Sequence, residues 1–572
     1  MDQNSPVYTI KNQCQDCYKC VRECHVKAIK IINSSASIIF DRCIACGHCV
    51  QACPTGAKHV RNDINKVKSL MQNGKQVFVS LAPSWSGIFD LSESQIITLL
   101  KKLGFYAVSE TALGAQEVSI QAANIIKTSD KSLFISSACP AIVDYIRFYH
   151  PNFSKYIIPI ASPALTHAKM LKKQYGDDIE VVFIGPCIAK KNESDRHPDL
   201  ISASITFEEL SLWLKDNFIY LSDIKNTENE KFIPHAAYEG ALYPLEGGMN
   251  ETIKKSGIEK NIQLLSISSL ETFEKSLNGL KTDKTDRKLF IEALACTGGC
   301  INGPQTATKK QGLEISSDLL TRIKERTNIP KTPDVIVQEK YISFSKIKEE
   351  PSLEKIDEAM KRIGKYKETD ELNCGGCGYP TCIALAKALI HNEAEPSMCV
   401  SFMRKTAMKK ASAMLRCMPS AGLIVDKNLN IMEANIPFMQ SFCPDIYDAI
   451  KEEDIIAGAD LKRVLDFYEL FNSVLKYGHD IHKEHYFSKG KLYDISIFTI
   501  EPNNIIGAII SDVTKSEMNR EKIARKAQEV INKNLTIVQD IACKLGEHMV
   551  ETELLLSSIA DDFDTKKDDG TK

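Results

Sequence analysis

The stretch KLFIEALACTGGCINGP, residues 288–304, begins as an apolar run and ends on two cysteines set among glycines. A short apolar run closed by a turn signal reads as a strand with both faces buried. Three other runs share this character: QVFVSLAP at 76–83, SLFISSA at 132–138 and EVVFIGP at 180–186. Helix-like segments separate them, which predicts an α/β domain on parallel strands, and cysteine motifs close three of the four runs. Open parallel sheets place ligands beyond the carboxyl ends of their strands.

At 572 residues the chain has room for three or four modules. Charged residues make up 26% and the net charge is -2, which argues against a polyanion-binding surface and against nucleic acid as a partner. The N-terminal MDQNSPVYTIKNQCQDC lacks the basic and apolar regions of a signal peptide, and no apolar run approaches the ~18 residues of a membrane span. A cytoplasmic protein without a membrane partner is expected. Nineteen cysteines in a reducing compartment point to metal rather than disulfides.

Sixteen of them fall into four groups, while Cys417, Cys443 and Cys543 stand singly as small hydrophobes. Cys14, Cys17, Cys20, Cys24 and Cys43, Cys46, Cys49, Cys53 both read C-x2-C-x2-C-x3-C, the two-cluster bacterial ferredoxin pattern. On that pattern Cys14, Cys17, Cys20 and Cys53 hold one [4Fe-4S] cluster, and Cys43, Cys46, Cys49 and Cys24 hold the other. His25 stands where proline usually follows Cys24. Cys374, Cys377, Cys382 and Cys399 form a compact group with Gly375, Gly376 and Gly378 for tight turning. It resembles the small four-cysteine iron-sulfur domain of several anaerobic redox proteins, with zinc as the competing metal.

The remaining group, Cys139, Cys187, Cys296 and Cys300, is dispersed over 160 residues and can meet only through tertiary folding. Its local sequences are SSACP at 136–140, GPCIAKKNE at 185–193 and EALACTGGCINGP at 292–304. Together these resemble the three signature loops of the [FeFe]-hydrogenase catalytic domain, with patterns TSCCP, MPCxxKKxE and ExMxCxGGCxxG. The resemblance covers about 77–350 and, with the flanking cysteine modules, extends to roughly 400. It implies that the four cysteines bind the [4Fe-4S] part of an H-cluster, Cys300 also bridging to a two-iron subsite. Lys190 would donate a charge-assisted hydrogen bond to a cyanide ligand, with Glu193 as its acidic partner. Alone, the Cys187–Lys191 segment would read as a βα turn with a solvated lysine pair.

Departures from the family pattern concentrate here. A cysteine that relays protons usually precedes the first ligand, and this chain has Ala138, whose methyl group can neither donate nor accept a proton. Gly185 and Leu294 replace methionines of the second and third loops. Gln121 or Ala122 falls near the family's expected acid. The iron ligands are kept and the proton route is not, so slow reaction with H2 is expected.

After Cys399 the alternation in MPSAGLIVDKNLNIMEANIPFMQSF, 418–442, and the pair LYDISIFTIE and NIIGAIISDVT, 492–514, resemble the opening and closing strands of a PAS sensor domain. His479, His482 and His485 are spaced H-x2-H-x2-H, as suits a metal site or a polar strand. Ile523, Ala527, Val530, Asn534, Ile537 and Ile541 follow heptad steps, as in a parallel dimeric coiled coil or a helix packed back on its own domain. The expected order is a 2[4Fe-4S] ferredoxin domain (1–65), an α/β H-cluster domain (76–350), a four-cysteine 4Fe-4S domain (360–403), a PAS α+β domain (408–515), a signalling helix or coiled coil (516–560) and a disordered tail (561–572). The resemblance implies an H2-reactive oxidoreductase-type redox sensor of an anaerobic bacterium. H2, protons and a redox partner such as ferredoxin would be its reactants, and a separate phosphatase or kinase its signalling partner, with a homodimer as one arrangement. The alternatives are a catalytic ferredoxin-linked hydrogenase with a regulatory tail, and a non-enzymatic iron-sulfur protein without the two-iron subsite.

Overall fold

The computed structural model describes residues 5–226, 230–258, 262–280, 288–308, 310, 312–323, 332–344, 349–450 and 456–564. Two compact units divide the chain, Met1–Met403 and Arg404–Lys572.

The first unit opens with two halves of the same design. A 3-10 turn, Lys11–Gln13 or Phe40–Arg42, leads into the first cysteine of each motif, and a short helix, Lys19–Arg22 or His48–Ala52, carries the third. Between them the chain passes twice through positive φ, at Asp16 and Tyr18 in one half and at Ala45 and Gly47 in the other. Four short strands, β1 (Val7–Thr9), β2 (Ile29–Ile32), β3 (Ser35–Ile38) and β4 (Lys58–Val60), pair antiparallel as β1 with β4 and β2 with β3.

The α/β domain follows with β5 (Val77–Leu81), β6 (Ala107–Glu110), β7 (Leu133–Ile135), β8 (Glu180–Gly185), β9 (Ala203–Thr206), β10 (Gln263–Ser268) and β11 (Leu289–Leu294). They form two parallel sheets, ordered β6-β5-β8-β9 and β10-β11-β7. The four apolar runs are β5, β7, β8 and β11, shared between two sheets. Every residue of β5 is buried, as a strand covered on both faces requires. The gap expected between 65 and 76 holds most of the helix Ile64–Gln72, whose Ile64 and Val67 enter the core of the larger sheet. The N-terminal cysteine-rich module therefore passes directly into the α/β core.

Cys374 and Cys377 lie in a loop that turns through positive φ at Gly375 and Gly378, and Cys382 opens the helix Cys382–Ile390. Cys399 follows the 3-10 turn Pro396–Met398 and precedes the helix Val400–Cys417.

The second unit is built on one antiparallel sheet, ordered β13-β12-β16-β15-β14, from β12 (Ala421–Asp426), β13 (Ile431–Ala434), β14 (Ile481–Ser488), β15 (Lys491–Glu501) and β16 (Ile505–Asp512). Its core includes Leu423, Phe438, Phe471, Ile495 and Ile510. Asn435 caps the helix Ile436–Phe442, and its side chain also accepts from Gly422 N–H and donates to Leu415 and Ser420 carbonyls. A helix spans Thr514–Asp564, so the tail expected to be disordered from 561 is helical to Asp564, and the remainder of it lies outside the described residues. Among the described residues, no helix is long and apolar enough to cross a membrane.

Candidate metal centre

The dispersed cysteines are positioned by strand ends. Cys139 follows β7 and stands at the N-terminus of the helix Pro140–Tyr149, Cys187 lies two residues beyond β8, and Cys296 lies two beyond β11. Cys300 comes next to Gly299, which has φ 105 and whose Cβ would lie 2.1 Å from the Pro244 carbonyl. No other residue fits that close approach. All four cysteines line one cavity, and Cys46 of the second ferredoxin motif lines it too. Burial raises the Cys139, Cys296 and Cys300 thiols and pushes Cys187 up to about 11, with nearby Lys190 opposing the rise for Cys139, Cys187 and Cys300. Such thiols become thiolates when a metal cation replaces the lost hydration.

A second cavity of ≈ 100 Å³ adjoins the first and shares Cys139, Cys187 and Cys300 with it. Ala138, Lys190, Ser84 and Glu292 also face it. Lys190 Nζ donates to Glu193 Oε2 at 2.5 Å and to Ser162 Oγ at 2.9 Å. An ammonium has three donors, which leaves one for an acceptor in the cavity. Ser84 Oγ is buried without a hydrogen-bond partner. The Glu292 carboxylate accepts from the Met249 and Asn250 N–H groups at 3.3 and 3.1 Å, yet burial outweighs these bonds and pushes it up to about 7. Gly185 leaves no room for a side chain: its Cβ would stand 2.7 Å from the Phe183 ring and 2.8 Å from Ala82.

Lys191 points away from the cavity and is fully buried, held by Asp63 Oδ2 at 2.9 Å, Glu209 Oε2 at 2.8 Å and the Ser204 carbonyl. The two lysines are thus both buried and paired, where the isolated motif would suggest a solvated pair. Gln121 and Ala122 are buried on the helix Ala112–Thr128, and Gln121 donates to the Val335 carbonyl at 2.7 Å. Neither residue lines the cavity.

Cys374, Cys377, Cys382 and Cys399 together line a further cavity. Cys20, Cys24, Cys49, Cys377 and Cys399 are buried in one apolar core. Among the described residues, no three His, Cys, Asp or Glu side chains are gathered as around a single ion. The thiols of the dispersed set and of the 374–399 set instead line cavities, as a multi-iron cluster would require. Four convergent thiols, a free Lys190 donor and an orphaned Ser84 hydroxyl fit a cubane with an attached group that carries anionic or other acceptor ligands. Ser84 was not singled out from sequence, because an isolated polar residue after an apolar strand carries no signal of what it faces; Glu292 opens the third loop pattern but was given no role there.

Residues 75–304 match the family model of the iron-only hydrogenase large subunit, C-terminal domain. Residues 36–59 match the 4Fe-4S binding domain, and 370–401 match a model of an Fe-S cluster segment. The chain is thus similar to the iron-only hydrogenase large subunit over 75–304, with stretches on either side that match iron-sulfur models.

Among particular proteins, Iron hydrogenase 1 of Clostridium pasteurianum is 25% identical over 375 residues, 53% of this chain and 65% of that protein. The NADP-reducing hydrogenase subunit HndD of Solidesulfovibrio fructosivorans is 25% identical over 46% of this chain and 55% of its own length. The alignments therefore span a little over half to about two thirds of these two relatives. Protein NAR1 of Arabidopsis thaliana is 22% identical over 47% of this chain and 73% of that protein. A solved variant of [FeFe]-hydrogenase HydA1 from Chlamydomonas reinhardtii superposes with TM-score 0.40 at 16% identity, over 49% of this chain and 99% of that one.

Proposed function

We propose that the protein is an H2-reactive, [FeFe]-hydrogenase-like redox sensor of low turnover. One observation carries the reading: four cysteines from three strand ends meet at one cavity, and a second cavity with Lys190 and Ser84 opens beside it. Cys139, Cys187, Cys296 and Cys300 would hold the [4Fe-4S] part of an H-cluster, with Cys300 at the junction to the two-iron subsite. When bound, that group supplies heterolytic H2 cleavage and takes up the electrons. Lys190, kept in place by Glu193 and Ser162, would donate to an anionic ligand of that group, and Ser84 would offer a second donor. Ala138 lines the same cavity and carries no proton, so the first protein step of proton exchange is missing. Glu292, with a proton affinity near neutrality, is the titratable carboxyl at hand.

The ferredoxin motifs and the four-cysteine group would hold three further [4Fe-4S] clusters and exchange electrons with a ferredoxin-like partner in the cytoplasm. The second unit is read as a PAS domain followed by a signalling helix. Its sheet order and its long terminal helix support this, and the slow active site suits a protein that reports rather than turns over. A separate phosphatase or kinase would receive the signal, since a sensor needs an output whose two states respond differently to the redox change.

The similarity to NAR1 supports a second reading, because a related protein from Candida dubliniensis, 28% identical over 183 residues, is named a cytosolic Fe-S cluster assembly factor. On that reading the chain keeps the cubanes and lacks the two-iron subsite. Infrared spectra after full maturation separate the two. CO and CN stretches are expected, and their absence from iron-replete protein would overturn the hydrogenase-type site.

A further inference from the structure

The four-cysteine module is docked on the first ferredoxin helix backbone to backbone. A Cβ on Gly378 would lie 2.8 Å from Val21 Cγ1 and 3.2 Å from the Arg22 nitrogen, and Gly378 itself has φ 90. Arg22 Nη1 donates to the Gly376 carbonyl at 3.3 Å, Asn33 N–H donates to Glu395 Oε1 at 2.8 Å, and Arg42 pairs with Glu393 at 2.7 Å. Lys27 lies at this seam. Its Nζ donates to the carbonyls of Val21 at 3.1 Å and Arg22 at 3.3 Å, the same two residues on which Gly378 packs. Its N–H donates to the Cys24 carbonyl at 3.1 Å, and the N–H of Ala28, next in the chain, donates to Cys24 Sγ at 3.2 Å.

Carbonyls anchor an ammonium without neutralising it. Burial lowers the Lys27 ammonium, and the nearby Cys24 and Cys377, which belong to two different cysteine sets, oppose that more than the acids Glu23 and Glu274 do. A fixed cation in a partly buried setting stabilises whichever neighbouring group carries more negative charge. An iron-sulfur cluster gains one negative charge on reduction, and nearby charge and burial are among the main determinants of its potential.

We propose that Lys27 is a positioning residue that raises the reduction potential of two centres together, one held by Cys24, Cys43, Cys46 and Cys49 and the other by Cys374, Cys377, Cys382 and Cys399. This rests on the assignment of clusters to these cysteines and is independent of whether H2 reacts. Its consequence is that both centres fill with electrons at a higher potential than they would without this charge.

The test is an electron paramagnetic resonance redox titration of the purified full chain, with dithionite giving one electron per centre. Lys27→Gln should lower the ratio of reduced to oxidised form about tenfold at fixed potential in both centres, about 59 mV for a one-electron couple. Lys27→Arg should restore both, and the centre held by Cys14, Cys17, Cys20 and Cys53 should move least. Iron content and melting temperature, measured alongside, report folding, which a potential shift does not require to change. Unmoved potentials, or a shift in only one of the two centres, would overturn the proposal. Zinc in place of iron at the four-cysteine site would overturn the two-centre form through the cluster assignment, and infrared bands of the H2 site would be untouched by that result.

Discussion

A methyl group at Ala138 faces the cavity that Lys190 and Ser84 also face, and a methyl group cannot relay a proton. Positioned proton donors commonly contribute about 10²–10⁴-fold. Ala138→Cys is therefore expected to raise H2 turnover of matured protein with an artificial electron carrier by at least about tenfold. Unchanged turnover would place the limit at another step. Glu292 leads to a pH dependence of stability. Its ordinary value of 4.5 is raised to about 7 in the fold by burial, so the folded chain holds this proton more tightly than the unfolded chain. The contribution is complete below about 4.5 and is lost as pH rises through about 7, at most about 3 kcal/mol for such a shift. Melting of the iron-loaded protein should weaken between pH 5 and 8, and Glu292→Gln should flatten that slope.

At the scale of elements, Lys191 joins the helix Ala189–Arg196 to Asp63, just before the helix Ile64–Gln72, and to Glu209 of the helix Phe207–Asp216. Removing one partner from a buried ion cluster leaves uncompensated charge and costs about 3–5 kcal/mol. Lys191→Met should lower the melting temperature of the first unit, and adding Asp63→Asn with Glu209→Gln should recover part of the loss. Calorimetry on the three proteins checks this. Elements of this kind were unequally legible in the sequence. β5, β8 and β11 announced themselves, because burial on both faces makes a strand continuously apolar. β10 did not, since its Gln263, Ser266 and Ser268 break the apolar run and its residues are exposed or half-buried. Spacing marked three of the cysteine groups and the resemblance of its local loops marked the dispersed one, whose convergence needed the fold. Lys190 and Lys191 are adjacent in one motif, and only packing tells the one beside the cavity from the one that ties helices together.

At the scale of the whole chain, the two units have cores of different composition. The core that includes Ile142, Ile188, Phe273 and Met360 also includes Cys20, Cys24, Cys49, Cys377 and Cys399. The core of the second unit is built from side chains such as Val425, Phe471 and Ile506, with Cys443 its buried cysteine. Without iron, the first unit would have to pack around thiols that face cavities instead of clusters, and close-packed interiors tolerate such gaps poorly. Limited proteolysis of protein made without iron should cut readily within 5–403 and leave a resistant fragment from about 404 onward, while iron-loaded protein should resist throughout. Equal resistance of both preparations would show that the first core closes unaided. The embedding of cysteines in that core has a consequence for supply: the abundance of intact chain becomes a record of how much iron was available when it was made. Proteases that clear unfinished copies would then cap the number of complete chains before any of them can act.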